Sequence, residues 1–192
     1  MPTRVIAYED ALAVARAWFL DGRPVDMRAL ADRLAVGRAT LYRVVGSRER
    51  LLGDVIGALS ERTLDFALDR AACNGVAAGV DRIVATARIM NQSVIDFGPL
   101  RTFMRHEPES AFHILFMPTA RVHSRTVAAW RRALTASAEA GDLRLPAEAG
   151  RVAYMLVRIG ESMVYADLLT DREPDLDLAA ALQRSLLTSA SS

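Results

Sequence analysis

Arg38, Thr40, Tyr42 and Arg43 place two guanidinium groups, a hydroxyl and a phenol within one short stretch of chain. A guanidinium fork pairs with phosphate oxygens or with the O6 and N7 acceptors of guanine, and hydroxyl and phenol groups donate to phosphates. Such groups act only if a rigid backbone holds them outward. Leu41 and Val45 stand four apart, so on a helix they share one buried face and leave Arg38, Thr40, Tyr42, Arg43 and Val44 pointing outward or sideways. From Val36 to Arg50 the charges are Arg38, Arg43, Arg48 and Arg50 against Glu49 alone, a local excess of three positive charges. The chain as a whole carries only +1, so any affinity for a polyanion must come from this patch.

The surrounding elements follow from periodicity and punctuation. Helical spacing of apolar residues runs through almost the whole chain, and no stretch alternates for long in the manner of a strand. Tyr8 to Leu20 places Ala11, Leu12, Ala15, Trp18 and Phe19 on one face, and Asp21-Gly22-Arg23-Pro24 ends that helix. Asp26 can cap a second helix that runs to Leu34, with Leu30, Ala31 and Leu34 inward. Ala35-Val36-Gly37 interrupts, and a short helix follows over 38–45. Ser47 is a good N-cap for a long helix over 47–72, with Leu51, Leu52, Val55, Ile56 and Leu59 as its apolar stripe. Two short helices joined by a tight turn and braced by a preceding amphipathic helix form a helix-turn-helix unit. Beyond the turn at Cys73-Asn74-Gly75, helical stretches cover 76–97, 100–106, 109–140, 146–169 and 176–187, and Pro118 should kink or split the third of these. The serine-rich end, Ser189 to Ser192, is expected to fray. The fold class is therefore all-α with about nine helices. A helix-turn-helix domain occupies 1–52, a linking helix 47–72, and a larger helical domain 73–192.

The segment Leu30-Ala31, Val36, Thr40-Leu41-Tyr42-Arg43 and Gly46-Ser47-Arg48-Glu49-Arg50-Leu51-Leu52 closely resembles the DNA-binding signature of the TetR family. The position of the motif, the chain length and the long helix behind it match as well. That resemblance implies a dimeric one-component transcriptional regulator with operator DNA and a small-molecule effector as partners, and no cofactor. It implies phosphate contacts for Thr40, Tyr42 and Arg48 and base readout for Arg38 and Arg43, with Ala39 and Val44 on the same DNA-facing surface. The chain departs from the family pattern at Ala35, Gly37 and Val44-Val45. Ala35 stands where Gly is usual, so the turn is either strained or shifted toward Gly37. Gly37 stands where Ser or Thr is usual and caps less well. Val44-Val45 replaces a frequent aromatic or histidine pair.

The segment from Val152 onward carries more apolar surface than a helix facing one core requires. Val152, Met155, Leu156, Ile159, Met163 and Val164 fill one sector, and Ala153, Tyr154, Val157, Tyr165 and Leu168 widen it. A helix apolar on most sides is buried on most sides, within its own domain or against a second subunit. The resemblance implies the second, a homodimer through the last two long helices. It also implies an effector pocket among the central helices, for which Met90, Phe97, Phe103, Phe112, Phe116, Trp130 and Tyr165 are candidate lining residues. Arg158 and Glu161 are three apart and can pair on one helix face. They serve either the effector or the dimer interface, with Asn91, Asp96 and Arg121 as further members of the polar set. Arg158-Ile159-Gly160-Glu161-Ser162 followed by Tyr165-Ala166-Asp167 resembles a subgroup of the family that regulates lactone and quorum-signal breakdown, which implies a lactone effector.

Other classes of function find little support. The chain has no nucleophile elbow, phosphate-binding Gly loop or HExxH motif, which argues against an enzyme. His106, His113 and His123 are the only histidines and Cys73 the only cysteine, too sparse and too widely spaced for a metal site. No apolar run reaches the roughly 18 residues of a membrane span. No charged-then-apolar leader opens the chain, so a cytoplasmic location is expected. A helical dimerisation or adaptor protein that does not bind DNA is the remaining alternative.

Overall fold

The computed structural model describes residues 6–189, and the remainder of the serine-rich end lies outside them. Among the described residues every regular element is helical. Eleven α-helices follow one another: α1 (Tyr8–Leu20), α2 (Met27–Arg33), α3 (Arg38–Val45), α4 (Arg48–Cys73), α5 (Val80–Asp96), α6 (Gly98–His106), α7 (Pro108–Phe116), α8 (Val122–Glu139), α9 (Ala149–Val164), α10 (Ala166–Leu169) and α11 (Leu176–Thr188). The count exceeds nine for two local reasons. Pro118 splits the 109–140 stretch, with a 3-10 turn at Pro118–Ala120 and a left-handed Arg121 between α7 and α8. The ladder also breaks at Tyr165, which separates the four-residue α10 from α9.

The helices group into two compact units. The first takes the chain up to Leu59 together with Phe97–His123; the second takes Ser60–Asp96 and Ser124 onward. The unit with the helix-turn-helix is thus larger than 1–52, because α6 and α7 are part of it.

In the first unit α1, α2 and α3 pack against one another. Ala11, Ala15, Trp18 and Phe19 of α1, Leu30 and Ala31 of α2, and Leu41 and Val45 of α3 are all buried. The α4 stripe joins them through Leu51, Leu52, Val55 and Ile56. The rings of Phe97 and Phe103 lie 6.2 and 5.9 Å from that of Phe19, which ties α6 to α1. Gly53 lets α4 approach the 3-10 turn: a Cβ there would stand 2.2 Å from the Ala120 carbonyl oxygen.

In the second unit α5, α9 and α11 pack mutually. Their apolar cluster includes Leu64, Ile83, Met90, Trp130, Leu134, Val152, Leu156 and Leu187. Glu148 caps α9, its carboxylate accepting from the N–H groups of Gly150 and Arg151 at 2.9 and 3.0 Å. These two bonds hold its carboxyl below the usual carboxylate range. Arg125 grips Glu61 with two bonds of 3.1 and 3.0 Å beside the Ser60–Thr126 hydroxyl pair.

Candidate nucleic-acid interface

The helix-turn-helix is assembled from short-range signals. Asp26 caps α2, accepting from the Ala29 N–H at 2.7 Å. The C-terminal end of α2 closes with Val36 N–H on the Ala31 carbonyl at 3.0 Å and Ala35 N–H on the Asp32 carbonyl at 3.1 Å. This paired closure needs a left-handed residue between the last helical turn and the next segment. Ala35 supplies it at φ 55°, so of the two alternatives for the turn the strained one is observed. Gly37 precedes α3 in extended conformation without a side-chain cap. Gly46 ends α3 at φ 81°, and Ser47 Oγ accepts from the Arg50 N–H at 3.1 Å to start α4.

This frame presents one face of α3 outward. Arg38, Ala39, Tyr42 and Arg43 are exposed, Thr40 and Val44 are half-buried, and Leu41 and Val45 are fully buried beneath them. Arg38 with Tyr42, and Ala39 with Arg43, stand one turn apart, so the four form a strip along the helix. Its chemistry is two guanidinium forks and a phenol with nothing acidic among them.

Arg48 is placed differently. Its Nε donates to the Val25 carbonyl at 2.7 Å, one Nη donates to Glu107 at 2.8 Å and the other to Ser110 at 3.4 Å. These bonds fasten the entrance of α2 to the α6–α7 corner, so a phosphate at Arg48 has to compete with Glu107. Glu107, Ser110 and Gly53 are positioning residues that the motif did not point to. Gly53 alone carried a local signal, as an isolated glycine within a helical pattern.

The candidate effector residues divide between the two units. Phe97, Phe103, Phe112, Phe116 and Arg121 belong to the first unit, and Met90, Trp130, Arg158, Glu161 and Tyr165 to the second. Phe97 and Phe103 are packing partners of Phe19. Phe112 is exposed, with its ring 5.4 Å from that of the half-buried Phe116. Arg121 is exposed in the turn before α8. Met90 and Trp130 are buried in the core of the second unit, and Tyr165 is half-buried at the end of α9. Arg158 and Glu161 pair at 3.1 Å. Arg158 is exposed on α9 beside the exposed Tyr154 and Met155, away from the buried row Val152, Leu156 and Val157. Asn91 of α5 abuts Gly160 of α9, and its buried Nδ2 makes no hydrogen bond.

The family model for the tetracyclin repressor-like C-terminal domain matches residues 78–188, more than half of the chain. The R. erythropolis transcriptional repressor QsdR, of the TetR family, superimposes with a TM-score of 0.88 at 31% identity, covering 96% of each chain. The chain belongs to the TetR family. A regulator from Streptomyces coelicolor A3(2) aligns with a TM-score of 0.50 at 16% identity, over 94% of this chain and 98% of that one, and shares the fold. No match to a curated protein was found. TetR-family proteins are DNA-binding transcriptional regulators that respond to small molecules, and they are not enzymes; that description holds for this chain. Among the described residues no helix is long and apolar enough to cross a membrane, and no cluster of His, Cys, Asp and Glu could hold a metal ion.

Proposed function

We propose that this TetR-family regulator is a repressor that binds a palindromic operator as a homodimer and releases it when a small, largely apolar effector binds. The exposed strip Arg38, Ala39, Tyr42 and Arg43 on α3 carries this reading. Arg38 and Arg43 read bases, Tyr42 and Thr40 hold phosphates, and Val44 lies at the margin. Arg48 reaches a phosphate only on exchanging Glu107 for it.

The dimer forms through α9 and α11, the last two long helices. Tyr154 and Met155 on α9 and Leu178 and Leu182 on α11 are each 42–48% exposed, although both helices bury their other face in the core of the second unit. Large apolar groups left outside on two adjacent helices suit an isologous contact with a second copy. Arg158 and Glu161 lie on this outer side of α9 and are assigned to the interface.

The effector binds within the larger helical domain, near Met90, Trp130 and Tyr165. Asn91 Nδ2, a buried donor without a partner, suits a carbonyl oxygen of the effector, because burying such a group unpaired costs free energy. That demand agrees with a lactone, the class implied by the resemblance of the Arg158–Asp167 segment. The likeness to a repressor of R. erythropolis favours repression. Effector binding selects a state in which the two recognition helices no longer match adjacent major grooves, and α4 joins the two domains in the chain. Its work on chromosomal DNA places the protein in the cytoplasm.

The test is binding of the purified protein to the DNA upstream of its own gene and divergent neighbour, at two salt concentrations with random competitor. Competitor-resistant binding at two chains per palindromic site is expected. A weak, salt-sensitive background alone would favour an adaptor that does not bind DNA. An effector that binds tightly and leaves operator affinity unchanged would remove the switching mechanism.

A further inference from the structure

We propose that the cleft between the C-terminal end of α1, the first turn of α4 and α6 is a binding site for a small carboxylic acid with an aromatic or aliphatic body. The cleft lies wholly within the first unit and encloses about 380 Å³, within the range of small-molecule sites. Its floor is apolar: Phe19, Val25, Leu52 and Phe103 line it, all buried. The rings of Phe19 and Phe103 meet edge to face at 5.9 Å and form an aromatic wall.

The rim is polar and positive. Arg23, Arg48, Thr102, His106 and Glu107 line it. Glu107 is already held by Arg48 at 2.8 Å. Arg23 rests over the Trp18 ring at 4.9 Å and has no acidic partner among the described residues. The site therefore offers one uncompensated guanidinium, a hydroxyl and a flat apolar floor. A purely apolar guest would make no use of the exposed Arg23 guanidinium at the rim, and inorganic phosphate would leave the apolar floor without a partner. An organic carboxylate satisfies both.

The position has a consequence for the helix-turn-helix. Arg48 holds the carbonyl of Val25, which directly precedes the α2 cap Asp26. A carboxylate in the cleft competes with Glu107 for Arg48 and so acts on the group that fixes where α2 begins. The assignment is independent of the operator reading, since the test below reads binding alone.

The probe is phenylacetate, with phenylacetamide as its uncharged counterpart, titrated into the full chain. The imidazole C–H resonances report the site by NMR, because His106 is one of three histidines and His106→Gln assigns its signals. A saturable shift of the His106 signals is expected, with His113 and His123 unmoved. Affinity should fall about tenfold or more for phenylacetamide, and for phenylacetate on Arg23→Gln, as a charge-assisted bond is lost. Thr102→Trp fills the cleft and should abolish the shift; if that variant fails to fold, the surface variant Arg23→Gln decides. No saturable shift at His106, equal affinity for acid and amide, or unchanged affinity in Arg23→Gln would each overturn the proposal.

Discussion

The outer face of α3 and the outer faces of α9 and α11 are both exposed surfaces, built in opposite ways. On α3, Leu41 and Val45 are sealed inside while Arg38, Tyr42 and Arg43 face solvent. On α9 and α11 the inner positions are apolar, as in Val152, Leu156, Ala179 and Leu187, and so are the outer positions Tyr154, Met155, Leu178 and Leu182. A helix with a charged outer strip suits a polyanion whose counterions it can release. A helix that keeps large apolar groups on its exposed side suits another protein surface, and the simplest is its own copy. Among the exposed positions of α3 the large side chains are charged or phenolic, whereas α9 and α11 set large apolar groups among exposed charges such as Arg158 and Arg184.

The sharpest way to break that contrast is to place a charge on the apolar side. Leu182→Asp should leave the subunit fold intact, since the side chain is 42% exposed. It should weaken the dimer by about 3 kcal/mol or more, because each copy buries an unpaired carboxylate. Sedimentation across a concentration series checks it, and an unchanged dimer would remove α11 from the interface. The charged side depends on support from below. Gly53→Ala sets a methyl group 2.2 Å from the Ala120 carbonyl oxygen, where backbone rather than a flexible side chain must yield. Urea unfolding should show a loss of up to about 3 kcal/mol; a loss near zero would mean that the 3-10 turn gives way freely. On the recognition strip itself, Arg43→Ala should weaken operator binding by about 1–3 kcal/mol and binding to random DNA much less. Equal losses on both would make Arg43 a phosphate contact.

The same contrast explains how far the sequence could be read. In the helix-turn-helix the decisive signals span three or four residues: Asp26 and Ser47 as caps, Leu41 with Val45 as a buried pair, Gly46 as a stop. Local chemistry fixes these, so helix boundaries and outward residues were legible from spacing alone. The packing of α6 and α7 was not, because it rests on distant partners. Arg48 meets Glu107 across 59 positions, and Phe19 meets Phe97 and Phe103 through ring geometry that no local pattern encodes. Phe97 and Phe103 face the Phe19 ring, and in sequence an aromatic residue looks alike whether its neighbour is a ligand or another ring. Tyr165 ends α9 earlier than the apolar pattern suggests, and neither Gly nor Pro marks the break.

A smaller effect tests whether the recognition turn carries strain. Ala35 holds φ 55°, where its Cβ crowds the following carbonyl. Ala35→Gly relieves that clash and gives back part of the gain as extra freedom in the unfolded chain. A net stabilisation of about 0.5–1 kcal/mol is expected in urea unfolding. A net loss would mean that the Ala35 methyl group makes a favourable contact that outweighs its backbone strain.

The smallest effect concerns the second unit and its polar crosslink. The two hydrogen bonds from Arg125 lower the Glu61 carboxyl below its ordinary range, partial burial opposes them, and the charges of Arg125 and Arg132 add to the lowering. A carboxyl that is more acidic when folded binds fewer protons in the native state than in the unfolded one across the interval between the two values. Its contribution is therefore present above the unfolded value and is lost as pH falls through the folded one. Both side chains keep about 30% of their surface in water, so the pair is worth only about 0.5 kcal/mol. Glu61→Gln should cost that amount at neutral pH, and the gap to the parent should close on acidification and shrink in high salt. A gap above about 2 kcal/mol that persists in salt lies outside the range of exposed pairs. It would mean that this unit depends on its polar crosslinks as heavily as on the apolar cluster around Leu156, and the contrast drawn between the two regions would then be one of surfaces only, not of cores.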